Sequence, residues 1–563
     1  MSGAMKRRKK IWLAVPAVLL FFFLALDSLV EDSPTMDEQN HLARGLAYLR
    51  TGDPRLSVEH PPLVNVLSAL PLLALPDVRL PIDHPSWERP EGWYEFADLL
   101  LWQYNDDVTR MIFLARLPIV FLTLGLALTA YHFARSLWGA PAGLFAFYFL
   151  LFDPNILAHG RYTTTDVGGT AFLLLALFLW WRLWQEAGWR WRRLLAATVA
   201  LGLAFGSKLS ALAFGPILAI LALLPLYEGK WQARAAVQRL LQLAIGAAGA
   251  LAVVWAIFGL QWGPLHLQQG PLRFLDGVPG PMPTFWAGIA QIASLSGGGR
   301  PTFLLGTTST DGFLAYFPVA FLVKTPLATL LLLAASLWLL LRPRAPAQER
   351  RAALFLLLPA ALYFLLSMQS DLNIGYRHLL PMLPLLYLLI AGGMVVTARR
   401  ATGSHLPATL YLLFCALLLS TLFTHPHYLS YFNVAAGGPE NGYKILVDSN
   451  VDWGQDLLRL QKWMEENGKE SVKLAWFGSA RPAYYGINYQ PLPGLPHHFD
   501  LWWDVPFDPS APEPGTYAIS VSNLWELPLQ EEKYVFPWFR AHRPDDRVGY
   551  SILIYQVQGG DGQ

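Results

Sequence analysis

Apolar runs recur along the first three-quarters of this chain, near residues 11–30, 110–136, 140–158, 167–184, 194–206, 209–226, 240–260, 313–341, 352–368, 379–398 and 406–424. A helix crosses the hydrocarbon core of a bilayer with about 17–25 residues, and helices satisfy their own backbone polar groups there. The runs therefore predict an α-helical polytopic membrane protein with about eleven transmembrane helices. Of the 563 residues 54% are hydrophobic and only 15% charged, which excludes a soluble domain of this length. A net charge of +2 carries no signature of a nucleic-acid partner. The single cysteine, Cys415, rules out an intrachain disulfide framework and a Cys-based metal site. The basic opening "MKRRKK" is followed by no small-residue cleavage site in "ALDSLVEDS", so the first run reads as an uncleaved span.

Charge sets the expected orientation. A further apolar piece at 61–76 opens on Pro-Pro and is short. If it does not span, the loops 185–193, 227–239, 342–351 and 399–400 are cytoplasmic and hold three, three, four and two Lys/Arg. The opposite loops, 158–166, 206–209, 261–312 and 368–378, then hold one, one, two and one. That asymmetry obeys the positive-inside rule, and the reverse assignment violates it. The expectation is a cytoplasmic N-terminus, an external first loop at about 31–108 with 61–76 as a helix along the membrane surface, and an external tail in the cytoplasmic (plasma) membrane. The division expected is a transmembrane domain at 1–424 and an extracytoplasmic α/β domain at 425–563. In that tail "YKILVDSN", "VKLAWFG", "TYAISVS" and "SILIYQVQ" read as strands, and "GQDLLRLQKWMEENG" as an amphipathic helix ended by Gly468.

Ionisable residues gather at the ends of spans on the presumed outer side. "SPTMDEQNHLARG" carries Asp37, Glu38 and His41; "SVEHPPL" carries Glu59 and His60; "AHGRYTTTDVGG" carries His159, Arg161 and Asp166. "FGSKLS" places Lys208 at a hairpin end, "FPVAFLVKTP" buries Lys324 before a proline, and "SDLNIGYRHLLP" supplies Arg377 and His378. Each has a plainer reading. Asp37 suits a helix N-cap; Lys208 and Arg377 can snorkel to headgroups; His60 and His159 can be hydrogen-bonded structural residues. Lys324 is harder to explain so, since a charge within an apolar segment faces a partner or a cavity. Together, acids and isolated cations at one face suit a lipid-linked phosphosugar. Cations stabilise the charge that develops on a departing lipid phosphate, and a carboxylate accepts the proton of an attacking hydroxyl. No nucleotide is needed, and "GLAFGSK" misses the spacing of a phosphate-binding loop.

The blocks "PTMDEQNHLARG", "EHPPL", "RYTTTD" and "NIGYRHLLPMLPLL" resemble the membrane glycosyltransferases of family 39, which include protein O-mannosyltransferases and the aminoarabinose transferases of lipid A and share the GT-C fold. The stretch from "HPHYLSYFNVAAGG" to "VDWGQDLLRLQKWM" is similar to a bacterial branch of phospholipid carrier-dependent glycosyltransferases. The resemblance runs from about residue 30 to 465 and implies inverting transfer of a mannose-like or related sugar. The donor would be a polyprenyl-phosphate sugar, and the acceptor a hydroxyl or phosphate on a protein, lipid or glycan. It implies Asp37 as general base within a catalytic set of Asp37, Glu38 and Asp166. Glu59, His60, Arg161, Lys208, Lys324, Arg377 and His378 then contact substrate, with Arg377 on the lipid phosphate. His378 stands where tyrosine is common. A divalent metal is a possible cofactor, with Glu59 and His60 as candidate ligands. "VDSNVDWGQD" begins like a calcium loop but breaks its pattern at the glycine and at Arg459. The competing class is a polytopic transporter or lipid flippase, although no repeat is visible and the charges keep to one face.

Overall fold

The computed structural model describes residues 2–89, 92–186, 188–227, 233–267, 273–297, 300–400, 406–494, 507–527 and 535–558. The expected class holds: apolar helices followed by a small C-terminal sheet domain. Five described helices are long and apolar enough to cross a membrane: Val108–Trp138, Thr165–Trp184, Ala233–Ile257, Ala347–Met368 and Tyr376–Arg400. They make the chain an integral membrane protein. Shorter apolar helices among the described residues, Val15–Val30, Ala140–Leu151, Leu209–Ala222 and Ala408–Thr424 among them, coincide with other expected runs, and the five long helices do not by themselves establish a count of eleven. The piece at 61–76 forms a helix Pro62–Ala69 that tightens to 3-10 geometry through Ala74, too short to cross.

The run 313–341, expected as one span, is two helices, Tyr316–Lys324 and Leu327–Leu341, bent by 106°. Pro326 is the cause: it has no N–H to donate and disfavours helical geometry in the residue before it. Thr325 is accordingly extended (φ −83°, ψ 132°). The carbonyls freed at the break are satisfied from outside, since the Asn433 amide donates to Leu322 O at 2.6 Å and to Thr325 O at 2.9 Å. The segment Leu383–Thr397 is buried on every side, an apolar axis around which the other helices pack. Ala233–Ile257, by contrast, has only 28% of its apolar window buried and presents apolar surface outward, toward lipid.

In the tail domain the strands β5 (Val472–Ala475), β6 (Tyr489–Pro491), β7 (Gly515–Ser520), β8 (Asp546–Val548) and β9 (Ile552–Val557) form one sheet in the order β6-β5-β7-β9-β8. β5 runs parallel to β6 and β7, and β9 antiparallel to β7 and β8. Four further strands, β1 (Trp262–Pro264), β2 (Pro279–Pro281), β3 (Thr302–Leu304) and β4 (Thr307–Ser309), make two small antiparallel pairs between the membrane helices. The amphipathic helix forms at Leu457–Glu466, followed by Gly468 at φ +60°. "YKILVDSN" is not a strand. Leu446 and Val447 are buried, and Asn450 is spent on tertiary contacts: it accepts from Tyr376 N at 2.9 Å and donates to the Tyr316 hydroxyl at 2.9 Å. The aromatic stretch "FDLWWD" lies outside the described residues.

The tail is sewn to the start of the first loop. Ser33 N donates to Gln455 O at 3.0 Å and Met36 N to Trp453 O at 2.9 Å. The Ser33 hydroxyl donates to Gly454 O at 2.8 Å and accepts from Leu457 N at 3.1 Å. Arg459 pairs with Asp32 at 2.8 Å and with Asp456. Arg161 also pairs with Asp32, which accepts a further bond from the Tyr162 hydroxyl at 2.6 Å. Burial pushes the Asp32 carboxyl up, but Arg161, Arg459 and Arg116 outweigh it and bring it down to about 2.

Candidate active site

Asp37 begins the helix Glu38–Thr51 but does not cap it, for its side chain makes no bond to the helix N–H groups. The carboxylate instead meets Arg377 Nη1 at 2.8 Å. Arg377 sits just inside a 3-10 turn, Tyr376–Met382, that follows the extended Gly375 and leads into the buried axial helix. The same guanidinium approaches Asp166 to 3.8 Å. Asp166 lies in the first turn of Thr165–Trp184, where a carboxylate suits the helix dipole. Lys208, extended between two helices, forms an ion pair with it. Four segments far apart in sequence thus deliver two carboxylates and two cations to one place.

They line a cavity of about 160 Å³. Asn40, His41, Arg44, Trp93 and Thr165 share its wall with Asp37, Glu59, His60, Asp166, Lys208, Arg377 and His378. Arg300, Ile292, Leu372 and Ile374 complete it from the later loops. Arg44 pairs with Glu59 at 2.9 Å and covers the Trp93 ring at 4.5 Å. His41 and His60 face each other with ring centroids 4.7 Å apart, and His41 Nδ1 lies 3.0 Å from Asn65 Oδ1. Burial, reinforced by the Arg44 charge, holds His41 down at about 4. Burial, then His41 and Arg44, likewise hold His60 well below the usual imidazole range. Both rings are neutral near pH 7 and can each donate and accept a hydrogen bond. Asn40 Oδ1, His378 Nε2, Arg377 Nε and Arg44 Nε are buried without a hydrogen-bond partner. A small cavity walled by this many polar and charged side chains suits a polyhydroxylated ligand.

Three expected members are elsewhere. Glu38 is fully buried and does not line the cavity. Its oxygens accept from Arg116 Nε at 2.9 Å and Nη2 at 2.7 Å, from Thr35 N at 2.8 Å and from Thr163 N at 2.8 Å. It ties the first loop to the helix Val108–Trp138 and to the loop of Thr163, and has no capacity left for a reacting group. Arg161 is buried on Asp32, away from the cavity. Lys324, at the proline break, donates to Leu429 O at 2.8 Å and Asn450 O at 2.5 Å and lies 4.8 Å over the Phe432 ring. Its partners are backbone carbonyls of the tail segment, so it fastens that segment to the membrane helices and is not placed to meet a phosphate at the cavity. A divalent ion fits poorly as well: Glu59 is engaged by Arg44 and by Gln291 at 3.3 Å. Among the described residues no three His, Cys, Asp or Glu side chains gather as a ligand set, at the histidines or in "VDSNVDWGQD".

Other cavity residues had no sequence signal strong enough to single them out. Asn40 and Arg44 lie on the helix that Asp37 opens, about one and two turns on. Trp93 opens a short helix, Trp93–Trp102, and Arg300 follows a break in the chain's described residues, positions that only tertiary packing brings to the cavity. Trp453 lies beneath Arg377, its ring 4.3 Å from the guanidinium carbon, inside the block "VDSNVDWGQD" that begins like a calcium loop.

Residues 109–258 match the family model described as dolichyl-phosphate-mannose-protein mannosyltransferase, a stretch that contains "RYTTTD" and Lys208 but neither Asp37 nor Arg377. The resemblance read from the motifs stands over that stretch. No curated protein sequence matches the chain. Among solved structures, ArnT from Cupriavidus metallidurans in the apo state aligns over 97% of this chain and 98% of its own, with 14% identity and a TM-score of 0.46. The same protein bound to undecaprenyl phosphate aligns over 96% and 97%, with 14% identity and a TM-score of 0.46. The archaeal oligosaccharyltransferase AglB from Archaeoglobus fulgidus, in complex with an inhibitory peptide and a dolichol-phosphate, aligns over 82% of this chain and 58% of its own, with 12% identity and a TM-score of 0.45.

Proposed function

We propose that this chain is a GT-C-type membrane glycosyltransferase that moves a sugar from a polyprenyl phosphate to an acceptor hydroxyl at the extracytoplasmic face. The observation that carries the reading is the convergence of Asp37, Asp166, Lys208 and Arg377 on one polar cavity at the ends of the membrane helices. The family model matched by 109–258 agrees with it. In the reaction, Asp37 takes the proton of the acceptor hydroxyl as its oxygen attacks the anomeric carbon. The bond from that carbon to the phosphate oxygen breaks, its electron pair stays on the lipid phosphate, and the configuration inverts. Arg377 and Lys208 stabilise the charge that builds there. Both are committed to carboxylates before substrate arrives, so the cavity is charge-compensated when empty. Asp166 holds Lys208 and Arg377 within reach of one another. His41, His60 and Asn40 are placed to bind sugar hydroxyls, and Glu38 keeps the Asp37 loop in position through Arg116. Orientation with the N-terminus inside and the tail outside belongs to the same proposal, supported by the charge asymmetry of the loops.

The test is transfer by purified protein from a panel of radiolabelled polyprenyl-phosphate sugars, comparing wild type with Asp37→Asn. Label leaving the donor with wild type, and about 10²–10⁴-fold more slowly with Asp37→Asn, is the expected result. A well-folded wild type that releases no sugar from any member of the panel overturns the proposal.

A further inference from the structure

Trp453 is 1% exposed, yet it belongs to the tail domain and not to the membrane helices. Its indole face lies against Arg377 at 4.3 Å, a desolvated cation–π contact with the strongest aromatic partner available to a guanidinium. Its edges are boxed in by His159 and Tyr162, both in T-shaped geometry, at 5.9 and 6.1 Å. Its own backbone is fixed at both ends. Trp453 N donates to the Gln455 side chain at 2.8 Å, and Trp453 O accepts from Met36 N at 2.9 Å, one residue before Asp37. Gly454, next along, has φ +85°, and a Cβ there would come within 2.9 Å of Gly478 Cα, so the turn depends on glycine. Asp452 anchors the same turn to the tail by accepting from Ser522 N at 3.1 Å. One residue therefore holds both members of the Asp37–Arg377 pair, the cation by its ring and the carboxylate by its carbonyl.

We propose that Trp453 is a positioning residue of the transfer site, through which the tail domain sets the geometry of Arg377 and Asp37. The inference rests on the glycosyltransferase reading above. Without the ring, Arg377 keeps its charge but loses the surface that fixes its plane, and a guanidinium free to tilt binds a phosphate less well along the reaction path. The main-chain bond from Met36 survives any substitution at 453, so the ring's share is separable from the carbonyl's.

The experiment uses full-length protein with Trp453→Leu, Trp453→Phe, Arg377→Gln and the Trp453→Leu/Arg377→Gln pair. Thermal melting and steady-state transfer are measured for each, together with binding of sugar-free polyprenyl phosphate. Trp453→Leu is expected to lower kcat/KM by roughly 10- to 30-fold, the range of a desolvated cation–π contact. Trp453→Phe should recover most of that loss. The double variant should be no slower than Arg377→Gln alone, because the ring acts through the guanidinium. If the two losses multiply, or if Trp453→Leu loses activity only in proportion to a drop in melting temperature, Trp453 is a packing residue and the proposal is wrong. A wild type that neither binds lipid phosphate nor transfers sugar refutes the functional reading instead, which keeps the two failures apart.

Discussion

Removing the Glu38 carboxylate separates scaffold from chemistry at two adjacent acids. In Glu38→Ala, Arg116 (2% exposed) loses its one carboxylate, while the amides of Thr35 and Thr163 lose their acceptor. Breaking a buried ion pair by deleting one partner costs about 3–5 kcal/mol. Arg116 retains three carbonyl acceptors, Leu29 O, Asp32 O and Ser33 O, at 2.9–3.0 Å, which argues for the lower end of that range. The two orphaned amides add about 1–3 kcal/mol each, so the lower ends of these ranges together give a loss of about 5 kcal/mol. At about 2.1 cal/mol/K per residue, 563 residues melting as one unit would shift by about 4 °C. If only the extramembrane part melts, the shift is larger. The assay is melting of purified detergent-solubilised protein, followed by transfer measured well below the transition. Glu38→Ala should melt earlier and turn over at a rate set by its folded fraction. Asp37→Asn should melt close to wild type, because its side chain is 31% exposed and Arg377 keeps the Asp166 carboxylate at 3.8 Å, and should turn over poorly. A Glu38→Ala protein with wild-type melting and abolished transfer would refute this division and put Glu38 into the reaction.

Lys208→Met should leave Asp166 with only the more distant Arg377 and lower transfer by at least 10-fold, with donor binding weakened in parallel; this is read as a rise in KM for the polyprenyl-phosphate sugar. Glu59→Gln should weaken the Arg44 pair and lower melting by a few degrees, and added divalent metal should not restore activity, a point checked by titrating manganese or magnesium into the variant. His41 is held at about 4 by burial and by Arg44, against a usual 6.5, so the unfolded chain binds more protons than the folded one between those values. Stability is therefore complete above about pH 6.5 and falls as pH drops toward 4, by about 1.4 kcal/mol per unit at most. His41→Gln should flatten that part of the melting-versus-pH curve, and an unchanged slope would show that His41 does not carry it.

Periodicity and composition settled the class of molecule. Long apolar runs can only be helices in lipid, and the change at residue 425 to short alternating segments announced a different kind of domain. The run 313–341 shows where that reading ends. Hydropathy averages over a window and does not register the hydrogen bond that Pro326 cannot make, or the Asn433 amide that caps the break from more than a hundred residues away. The segment "YKILVDSN" failed for a related reason. Its alternation fits a strand, but Asn450 finds three partners in the membrane part, and those contacts outweigh local β preference.

For the site, residue chemistry alone named Asp37, Asp166, Lys208 and Arg377, because a charge at the end of a span must have a partner or a purpose. It could not tell which charges were partners and which had purposes. Glu38, Arg161 and Lys324 have the same composition and the same kind of address as the cavity residues, but they are consumed by Arg116, Asp32 and two backbone carbonyls. That distinction depends on where side chains from distant loops come to lie within 3 Å, a quantity set by packing of the whole chain. Sequence fixes which groups are expensive to bury; only the tertiary arrangement decides which of them are already satisfied and which remain to meet a substrate.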